Sequence, residues 1–345
     1  MAHKIAINGF GRIGRGVLRA LIETGNAELE VVAINDLSAP NQLANLLKYD
    51  SVHGRLKADI KVIDGGLSVN GQVIRLSALR NPAELDWQDV DVAFECTGAF
   101  NSREKAAQHL QNGARRVLVS APAAGADRTV VFGVNHRDLT GDDVVVSNAS
   151  CTTNCLAPLA KVLDDAFGIE TGYMTTIHAY TGDQPTHDSP HRDPYRARAA
   201  ALSMVPTSTG AAKAISLVLP QLEGRLEGSA IRVPTPNVSM VDLCFMPRRM
   251  ATIESVNNAI KQASVGALSG VMSYEDDPMV SIDFNHDPHS SCFAPAQTSV
   301  TAQGMVRVVS WYDNEWGFAN RMVDTGTYIA DLLAGADHQS RLKVG

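Results

Sequence analysis

Residues 4–14 read Lys-Ile-Ala-Ile-Asn-Gly-Phe-Gly-Arg-Ile-Gly, a short apolar run that ends in the pattern G-x-G-x-x-G. The run predicts a buried strand, and residues 15–24 have the apolar spacing of a helix. This order is typical of a dinucleotide-binding unit, because Gly9, Gly11 and Gly14 permit a tight turn and close approach of the backbone to a pyrophosphate. The alternative is a glycine-rich turn in an α/β domain that binds no nucleotide.

An acidic residue follows the next predicted strand, residues 30–35. Asp36 lies roughly 20 residues after the glycine pattern, where a ribose-binding carboxylate is expected. A carboxylate accepts hydrogen bonds from both ribose hydroxyls and repels a 2′-phosphate, and Leu37 offers such a phosphate no hydrogen bond. We therefore expect NAD rather than NADP. Arg80 is a candidate contact at the adenine end, with an ordinary surface arginine as the alternative.

Strand and helix patterns alternate through the first half of the chain. Strands are predicted at 90–96, 116–120, 129–133 and 144–147, a helix at 102–112, and hairpins within 48–75. This alternation predicts a doubly wound parallel sheet, in which ligands bind at the carboxyl ends of the strands. Thr97 and Ser120 follow two of those strands and are therefore candidates for cofactor contact.

The second half has a different pattern. Strands are predicted at 172–178, 229–233, 238–246, 279–284 and 306–312, and helices at 210–219, 252–268 and 317–333. They predict an α+β domain with a largely antiparallel sheet and helices on one face. We expect residues 1–150 and 315–345 to form the dinucleotide-binding domain and residues 151–314 the catalytic domain. The polar loop 185–206 is long enough to indicate a functional role or a subunit contact.

The composition favours a globular cytoplasmic protein. The formal charge of −7 argues against a general affinity for nucleic acid or anionic membranes. The five cysteines are odd in number and scattered, which argues against a disulfide framework and favours a reducing compartment. We find no apolar signal segment and no apolar run near the ~20 residues that a membrane-spanning helix needs.

The candidate for chemistry is a thiol in residues 147–155, Ser-Asn-Ala-Ser-Cys-Thr-Thr-Asn-Cys. An apolar helix pattern follows at 156–167, and small polar residues able to cap it surround Cys151. The helix start is expected to lower the thiol pKa, which would make Cys151 a nucleophile with backbone N–H groups near an oxyanion. The alternative is an ordinary small buried residue.

A thiol nucleophile needs a base, and His178 at the end of a predicted strand is the best-placed histidine. Donors suited to a phosphate occur later in the chain, although each one alone is equally explained by helix capping or surface charge. They are Thr181, Arg196, Arg198, Ser208, Thr209, Gly210 and Arg232. No pair of histidines has convincing metal-ligand spacing, and we expect no metal.

Six motifs in order resemble phosphorylating glyceraldehyde-3-phosphate dehydrogenase, and the resemblance runs from residue 5 to about residue 333. They are residues 8–15 (Asn-Gly-Phe-Gly-Arg-Ile-Gly-Arg), 147–154 (Ser-Asn-Ala-Ser-Cys-Thr-Thr-Asn), 178–181 (His-Ala-Tyr-Thr), 208–213 (Ser-Thr-Gly-Ala-Ala-Lys), 232–237 (Arg-Val-Pro-Thr-Pro-Asn) and 311–316 (Trp-Tyr-Asp-Asn-Glu-Trp).

The resemblance implies NAD-dependent oxidation and phosphorylation of glyceraldehyde 3-phosphate to 1,3-bisphosphoglycerate, the reaction of glycolysis and gluconeogenesis. Cys151 would form a thiohemiacetal and then a thioester, with His178 as the base, and inorganic phosphate would cleave the thioester. The substrate phosphate would contact Thr181 and Arg232. The attacking phosphate would contact Ser150, Thr152, Thr209 and Gly210, with Arg198 nearby. The cofactor would contact Arg12, Ile13, Asp36, Arg80, Ser120 and Asn314. The family is homotetrameric, with the loop 185–206 at subunit contacts.

Two departures leave alternatives open. Asp183 replaces a hydroxyl that often contacts the substrate phosphate in the family, so that contact is in doubt. Residues 285–290 (Asn-His-Asp-Pro-His-Ser) resemble erythrose-4-phosphate dehydrogenase, which would form 4-phosphoerythronate. That relative usually lacks the intact segment 208–213 and is the runner-up. A nucleotide-binding or adhesive protein without catalysis is the third possibility.

Overall fold

The computed structural model describes residues 2–335, so residues 336–345 of the predicted dinucleotide-binding domain lie outside it. The chain divides into two compact units. The first contains the chain up to Phe132, His136–Ala149 and the chain from Ala319, and the second contains Gly133–Asn135 and Ser150–Phe318. Within residues 2–335, no helix has the length and hydrophobicity required to span a bilayer.

The first unit is built on a nine-stranded sheet. Its elements are β1 (His3–Asn8), α1 (Arg12–Thr24), β2 (Leu29–Asn35), α2 (Pro40–Lys48), β3 (Tyr49–Asp50), β4 (Gly54–Arg55), β5 (Ile60–Ile63), β6 (Gly66–Val69), β7 (Gln72–Ser77), β8 (Val92–Glu95), α3 (Arg103–Ala106), β9 (Arg116–Val119), β10 (Arg128–Thr129) and β11 (Val145–Ser147). The sheet order is β10-β11-β9-β8-β1-β2-β7-β6-β5, parallel up to β7, with the β5–β7 hairpins antiparallel.

This sheet has the topology of a doubly wound dinucleotide-binding fold, as predicted. Strand β1 lies between β2 and β8, so the chain leaves β1 on one side and later returns on the other. Such a switch point opens a crevice at the carboxyl ends of the two central strands. Gly9 follows β1 there with a φ of +90°, and a Cβ on it would lie 2.7 Å from the backbone nitrogen of Thr97. The glycine therefore permits the direct backbone contact that the loop requires.

The second unit contains an eight-stranded sheet. Its elements are α4 (Cys151–Phe167), β12 (Ile169–Ala179), β13 (Val205–Ser208), α5 (Ala211–Val218), β14 (Leu226–Val233), β15 (Ser239–Pro247), α6 (Ile253–Val265), β16 (Met272–Tyr274), β17 (Ser291–Phe293), β18 (Ser299–Val300), β19 (Val306–Tyr312) and the start of α7 (Trp316–Leu333). The sheet order is β13-β14-β12-β15-β19-β17-β16, with β18 on β19. Only β12/β14 and β16/β17 pair in parallel, so the predicted, largely antiparallel sheet is confirmed.

Three predicted elements differ from the structure. Of the strand predicted at 129–133, only Thr129 lies in a strand, the two-residue β10, and a turn begins at residue 132. The strand predicted at 279–284 is wrong, because a short 3-10 helix occupies Ser281–Phe284. The Asp283 carboxylate accepts the Val280 N–H at 2.8 Å, and this local bond competes with strand pairing. Phe284 is buried, whereas Val280 and Ile282 are exposed. The helix predicted at 102–112 is an α-helix over Arg103–Ala106 and a 3-10 helix over Ala107–Asn112.

Candidate active site

Cys151 is the first residue of α4, as the sequence predicts. Ser150 is the N-cap residue, and its hydroxyl accepts a hydrogen bond from the Thr153 N–H at 3.0 Å. This bond satisfies one N–H of the first turn and fixes where the helix begins. The thiol is therefore held among the backbone N–H groups of a helix start, and it is half-buried.

His178 lies near the end of β12 with its ring against the thiol. The distance from Nε2 to the Cys151 sulfur is 3.5 Å. Nδ1 lies 2.7 Å from the carbonyl oxygen of Ala179. Arg232 Nη1 lies 3.1 Å from Nδ1, but its two protons have acceptors in the Ala179 carbonyl and the Thr181 hydroxyl. Because a carbonyl oxygen can only accept, we assign the proton to Nδ1, which leaves the lone pair of Nε2 directed at the thiol. In this tautomer His178 can take the thiol proton.

Burial favours the neutral forms of both the thiol and the imidazole. Burial raises the pKa of the Cys151 thiol, and the positive charge of Arg232 and the Thr152 N–H only partly offset it. The lowered thiol pKa predicted from the helix start is therefore wrong, because desolvation outweighs the helix start. Burial, with the Arg232 charge, lowers the pKa of His178 to about 3. The thiol must therefore lose its proton when it reacts.

Arg232 is brought to the pair by strand register. In the parallel pairing of β12 with β14, His178 lies opposite Arg232. The Arg232 Nη1 donates to the Ala179 carbonyl at 3.1 Å and to the Thr181 hydroxyl at 3.0 Å. Its Nε is buried and has no hydrogen-bond partner among the described residues. A half-buried guanidinium with an unused N–H is suited to bind an anion.

Asp183 and Arg196 extend this cluster. Arg196 donates from Nη1 to the Asp183 carboxylate at 2.9 Å and from Nε to the Thr207 hydroxyl at 3.2 Å. Thr181 also donates to Asp183. Burial raises the pKa of Asp183, but the Thr181 hydrogen bond and the charges of Arg232 and Arg196 outweigh it, so the pKa lies below its ordinary value. Asp183 therefore remains a carboxylate and holds Arg196 beside Arg232.

The other loop arginine has different surroundings. Arg198 pairs with Asp188 at 2.7 Å, and the two side chains are 64% and 61% exposed. The Arg196 side chain is only 17% exposed. Sequence reasoning named both arginines but placed Arg198 near the attacking phosphate. The structure brings Arg196 into the cluster around Arg232 and pairs Arg198 with Asp188.

Ser208 is the last residue of β13, and the remaining predicted phosphate donors lie at the starts of two helices. Gly210 is the N-cap residue of α5, and the Thr209 hydroxyl accepts the Ala211 N–H at 3.2 Å. Ser150 caps α4, and Thr152 lies in its first turn. Helix starts carry N–H groups without intrahelical partners and favour anions.

A buried tyrosine holds the first turn of α4 and was not singled out from the sequence. The Tyr312 hydroxyl bonds the hydroxyls of Thr152 at 2.9 Å and Thr176 at 2.8 Å. Its ring contacts the His178 ring edge-on, with 5.9 Å between centroids. The signal that could have found it is its place in the motif at residues 311–316.

Asn314 is tied to the end of β12 through one serine. The Ser239 hydroxyl donates to Asn314 Oδ1 at 2.8 Å and accepts the Ala179 N–H at 3.0 Å. The neighbouring Asp313 accepts N–H groups from Glu315 and Trp316 and so caps the start of α7. These contacts fix the orientation of the Asn314 amide.

The predicted dinucleotide loop lies in the first unit. Gly11 is the N-cap residue of α1, and Arg12 and Ile13 form its first turn. A Cβ on Gly14 would lie 2.2 Å from the Gly9 carbonyl oxygen, so only glycine fits there. Arg12 pairs with the Asp50 carboxylate.

Three other residues predicted to contact the cofactor, Asp36, Thr97 and Ser120, each lie just after the end of a strand. The Asp36 carboxylate accepts the Phe10 N–H at 2.8 Å and the Ser38 N–H at 2.9 Å, so it is fixed beside the loop. Thr97 follows β8 and Ser120 follows β9, both at the carboxyl edge of the sheet. Arg80 is exposed in the segment after β7.

Comparison with known proteins identifies the family. Residues 3–103 match the model for the NAD binding domain of glyceraldehyde 3-phosphate dehydrogenase, and residues 150–314 match its C-terminal domain. The chain is 63% identical over 333 residues to glyceraldehyde-3-phosphate dehydrogenase of Cereibacter sphaeroides, covering 96% of this chain and 100% of the relative. Identity is 61% over 334 residues, with the same coverage, for the Xanthobacter flavus protein of that name. It is 55% for glyceraldehyde-3-phosphate dehydrogenase 1 of Bacillus subtilis, covering 96% of this chain and 99% of the relative.

The chain belongs to the glyceraldehyde-3-phosphate dehydrogenase family.

Membership in the glyceraldehyde-3-phosphate dehydrogenase family makes the chain an NAD-dependent oxidoreductase and confirms the predicted cofactor. The described residues fit NAD, because the Gly9 and Gly14 positions exclude a Cβ and the Asp36 carboxylate follows β2. The relatives named above share the glyceraldehyde-3-phosphate name, which favours that activity over the erythrose 4-phosphate alternative.

One group of side chains in the dehydrogenase has the donor types of a metal site. The ligand atoms of Asp287, His289 and Cys292 all lie within 4.8 Å of one another. The backbone N–H and Nδ1 of His289 both bond Asp287 Oδ1 at 2.8 Å, so these groups satisfy one another. Burial and the nearby Asp287 charge raise the pKa of the Cys292 thiol, which disfavours the thiolate that a metal would need.

Proposed function

We propose that the chain catalyses the NAD-dependent oxidation and phosphorylation of D-glyceraldehyde 3-phosphate to 1,3-bisphosphoglycerate, with Cys151 as the nucleophile and His178 as the base. The observation that carries the proposal is the 3.5 Å contact of His178 Nε2 with a thiol at a helix start. Arg232 lies beside it with a buried, unpaired Nε. A nucleophile, a base and an anion-binding group therefore occur within one cluster.

The first step follows from the neutral forms that burial favours. As the Cys151 sulfur attacks the aldehyde carbon, His178 Nε2 takes the thiol proton and a thiohemiacetal forms. The N–H groups at the start of α4 favour the negative charge that develops on the aldehyde oxygen. His178 then gives this proton to the aldehyde oxygen, which becomes the thiohemiacetal hydroxyl, and the imidazole is neutral again before the second step.

The second step removes a hydride and leaves a thioester. NAD, when bound, supplies the hydride acceptor. His178 accepts the proton of the thiohemiacetal hydroxyl as the C–H bond breaks, so the carbonyl re-forms on Cys151. Inorganic phosphate then attacks the thioester carbon and releases the acyl phosphate and the Cys151 thiolate, which takes the proton back from His178.

Two sets of donors support two phosphate positions. Thr181, Arg196 and Arg232 form the set that we assign to the substrate phosphate, because Asp183 holds Arg196 beside Arg232. Asp183 then acts through Arg196 and does not take the place of the missing hydroxyl as a phosphate contact. We assign the attacking phosphate to Ser150, Thr152, Thr209 and Gly210, while the contribution of Arg198 stays a prediction.

The organisation of the enzyme is also a proposal. We assign NAD binding to residues 1–150 and 315–345 and catalysis to residues 151–314. We propose a homotetramer with the loop 185–206 at subunit contacts, and a cytoplasmic location. All five cysteines are free thiols, which suits a reducing compartment. Light scattering with sedimentation would test the tetramer.

Steady-state assays test the activity. We expect NADH absorbance to rise when glyceraldehyde 3-phosphate, NAD and inorganic phosphate are all present. Turnover that does not depend on phosphate would refute the phosphorylating reaction, and a higher kcat/KM for erythrose 4-phosphate would favour the four-carbon alternative. Cys151→Ser should lose turnover but retain NAD binding, and substantial remaining activity would contradict the thioester route.

A further inference from the structure

A buried carboxylate lies beneath the dinucleotide loop. Glu95 is the last residue of β8, and its side chain is completely inaccessible to solvent. Its Oε1 accepts hydrogen bonds from the N–H of Thr97, at 2.8 Å, and from the Thr97 hydroxyl. Its Oε2 accepts from Asn8 Nδ2 at 2.6 Å and lies 2.9 Å from His109 Nε2. Four polar groups of three residues therefore converge on one carboxylate.

On the side of the histidine, the direction of the hydrogen bonds is fixed by an indole. The Trp87 Nε1–H lies 2.8 Å from His109 Nδ1, and an indole N–H can only donate. Nδ1 is therefore the acceptor, and Nε2 carries the proton and donates to Glu95. On the side of Thr97, the hydroxyl oxygen accepts the Ala99 N–H at 3.0 Å, so its own proton is directed to Glu95.

On the side of the asparagine, the direction is fixed by a backbone N–H. The Leu79 N–H donates to Asn35 Oδ1 at 2.9 Å, which orients the Asn35 amide. Asn35 Nδ2 then donates to Asn8 Oδ1 at 2.8 Å, and this leaves Asn8 Nδ2 to face Glu95. All four groups around Glu95 are thus donors, so only a group that accepts at both oxygens satisfies them.

Two of the residues held by Glu95, Asn8 and Thr97, lie next to the glycine loop. Asn8 immediately precedes Gly9, and a Cβ on Gly9 would lie 2.7 Å from the Thr97 nitrogen whose N–H bonds Glu95. The Cys96 N–H also donates to the Asn8 carbonyl at 2.7 Å. The carboxylate therefore fixes both the residue before the glycine loop and the peptide on which that loop packs.

We propose that Glu95 is a positioning residue for NAD: without contacting the cofactor, it sets the affinity by holding Asn8 and Thr97 in the positions that shape the glycine loop. This inference rests on the proposed binding of NAD at Gly9–Gly14. It follows from how a pyrophosphate is bound, since backbone N–H groups at a helix start bind it only when the loop geometry is correct.

The test measures NAD affinity of the purified apoenzyme by isothermal titration calorimetry, without turnover. Glu95→Gln places an amide N–H against at least one donor, so we expect the Kd for NAD to rise between about 5-fold and 100-fold. Asn8→Ala removes one donor but keeps the charge, and we expect a smaller rise. The double variant Glu95→Gln/Asn8→Asp reverses donor and acceptor across the 2.6 Å contact and should recover part of the affinity.

Val145→Ala is the matched control, because Val145 is buried in the same sheet on β11, two strands from β8, and has no polar side-chain atom. We expect it to lower the melting temperature and leave the Kd for NAD unchanged. Glu95→Gln with wild-type affinity would overturn the proposal. If that variant does not fold, Asn8→Ala with wild-type affinity would overturn it. A wild-type protein that binds no NAD would instead contradict the proposed cofactor site.

Discussion

Replacing Arg232 by glutamine tests whether the half-buried guanidinium holds the substrate phosphate. The variant removes the positive charge, and its shorter side chain also loses the Nη1 hydrogen bonds to the Ala179 carbonyl and the Thr181 hydroxyl. A hydrogen bond to a charged group contributes about 1.5–3 kcal/mol, so kcat/KM for glyceraldehyde 3-phosphate should fall between about 10-fold and 150-fold.

The assay compares two substrates, because Arg232 also lies 3.1 Å from His178 Nδ1 and its loss affects the base. Glyceraldehyde without the phosphate reports the effect on the base alone. We expect Arg232→Gln to lower kcat/KM much more for the phosphorylated aldehyde than for glyceraldehyde. Equal losses on the two substrates would refute the assignment of Arg232 to the phosphate.

Two further variants test which arginine of the loop 185–206 belongs to the same site. Arg196→Gln should lower the discrimination between the two aldehydes, because Arg196 lies in the cluster with Asp183 and Arg232. Arg198→Gln removes only an exposed ion pair, so we expect a change of about twofold or less. The opposite ranking would show that Arg198 is the phosphate contact.

Three further predictions concern stability and cofactor binding. Tyr312→Phe leaves the buried hydroxyls of Thr152 and Thr176 without this partner, so the free energy of unfolding, measured with urea, should fall by about 1–3 kcal/mol. Tyr173 is half-exposed on the same sheet, and Tyr173→Phe should change the free energy of unfolding by less than about 0.5 kcal/mol. Equal effects of the two substitutions would refute the argument. The folded pKa of His178 is about 3, below its ordinary value of 6.5, so its contribution to stability is present above pH 6.5 and is lost as the pH falls toward 3. His178→Asn should therefore make the free energy of unfolding less dependent on pH between 6.5 and 3. The same pH dependence in the variant and the wild type would contradict the burial of a neutral imidazole. Gly14→Ala should weaken NAD binding and lower the melting temperature, because the added Cβ would lie 2.2 Å from a carbonyl oxygen. The Cβ of Gly11→Ala would meet no atom within 4 Å, so this control should keep the wild-type melting temperature. An equal fall in melting temperature for both variants would argue against the steric explanation.

Much of the first unit could be predicted because its signals are local. The glycine pattern, the apolar strands and Asp36 are separated by short distances in sequence, and each constrains the backbone directly. The helix start at Cys151 was predictable for the same reason, since a small polar cap precedes an apolar helix. The strand predicted at 279–284 failed because the side chain of Asp283 satisfied a backbone N–H that a strand would have paired.

The state of the thiol could not be predicted from its neighbours in sequence. The helix start favours the thiolate, but the surroundings of Cys151 desolvate it, and that burial comes from residues distant in the chain. The choice between Arg196 and Arg198 was equally inaccessible. The two arginines lie two positions apart, and the path of the loop decides which one packs against Asp183.

The sequence by itself determined the fold class, the dinucleotide loop, the family and the residue types available for chemistry. The tertiary structure decided which of those residues meet. His178 and Arg232 lie opposite each other only because β12 and β14 pair in parallel, and Glu95 collects donors from two distant segments of the first unit, at Asn8 and His109, besides the neighbouring Thr97. Local sequence fixes backbone conformation, whereas burial and contact depend on packing between segments that are far apart in the chain.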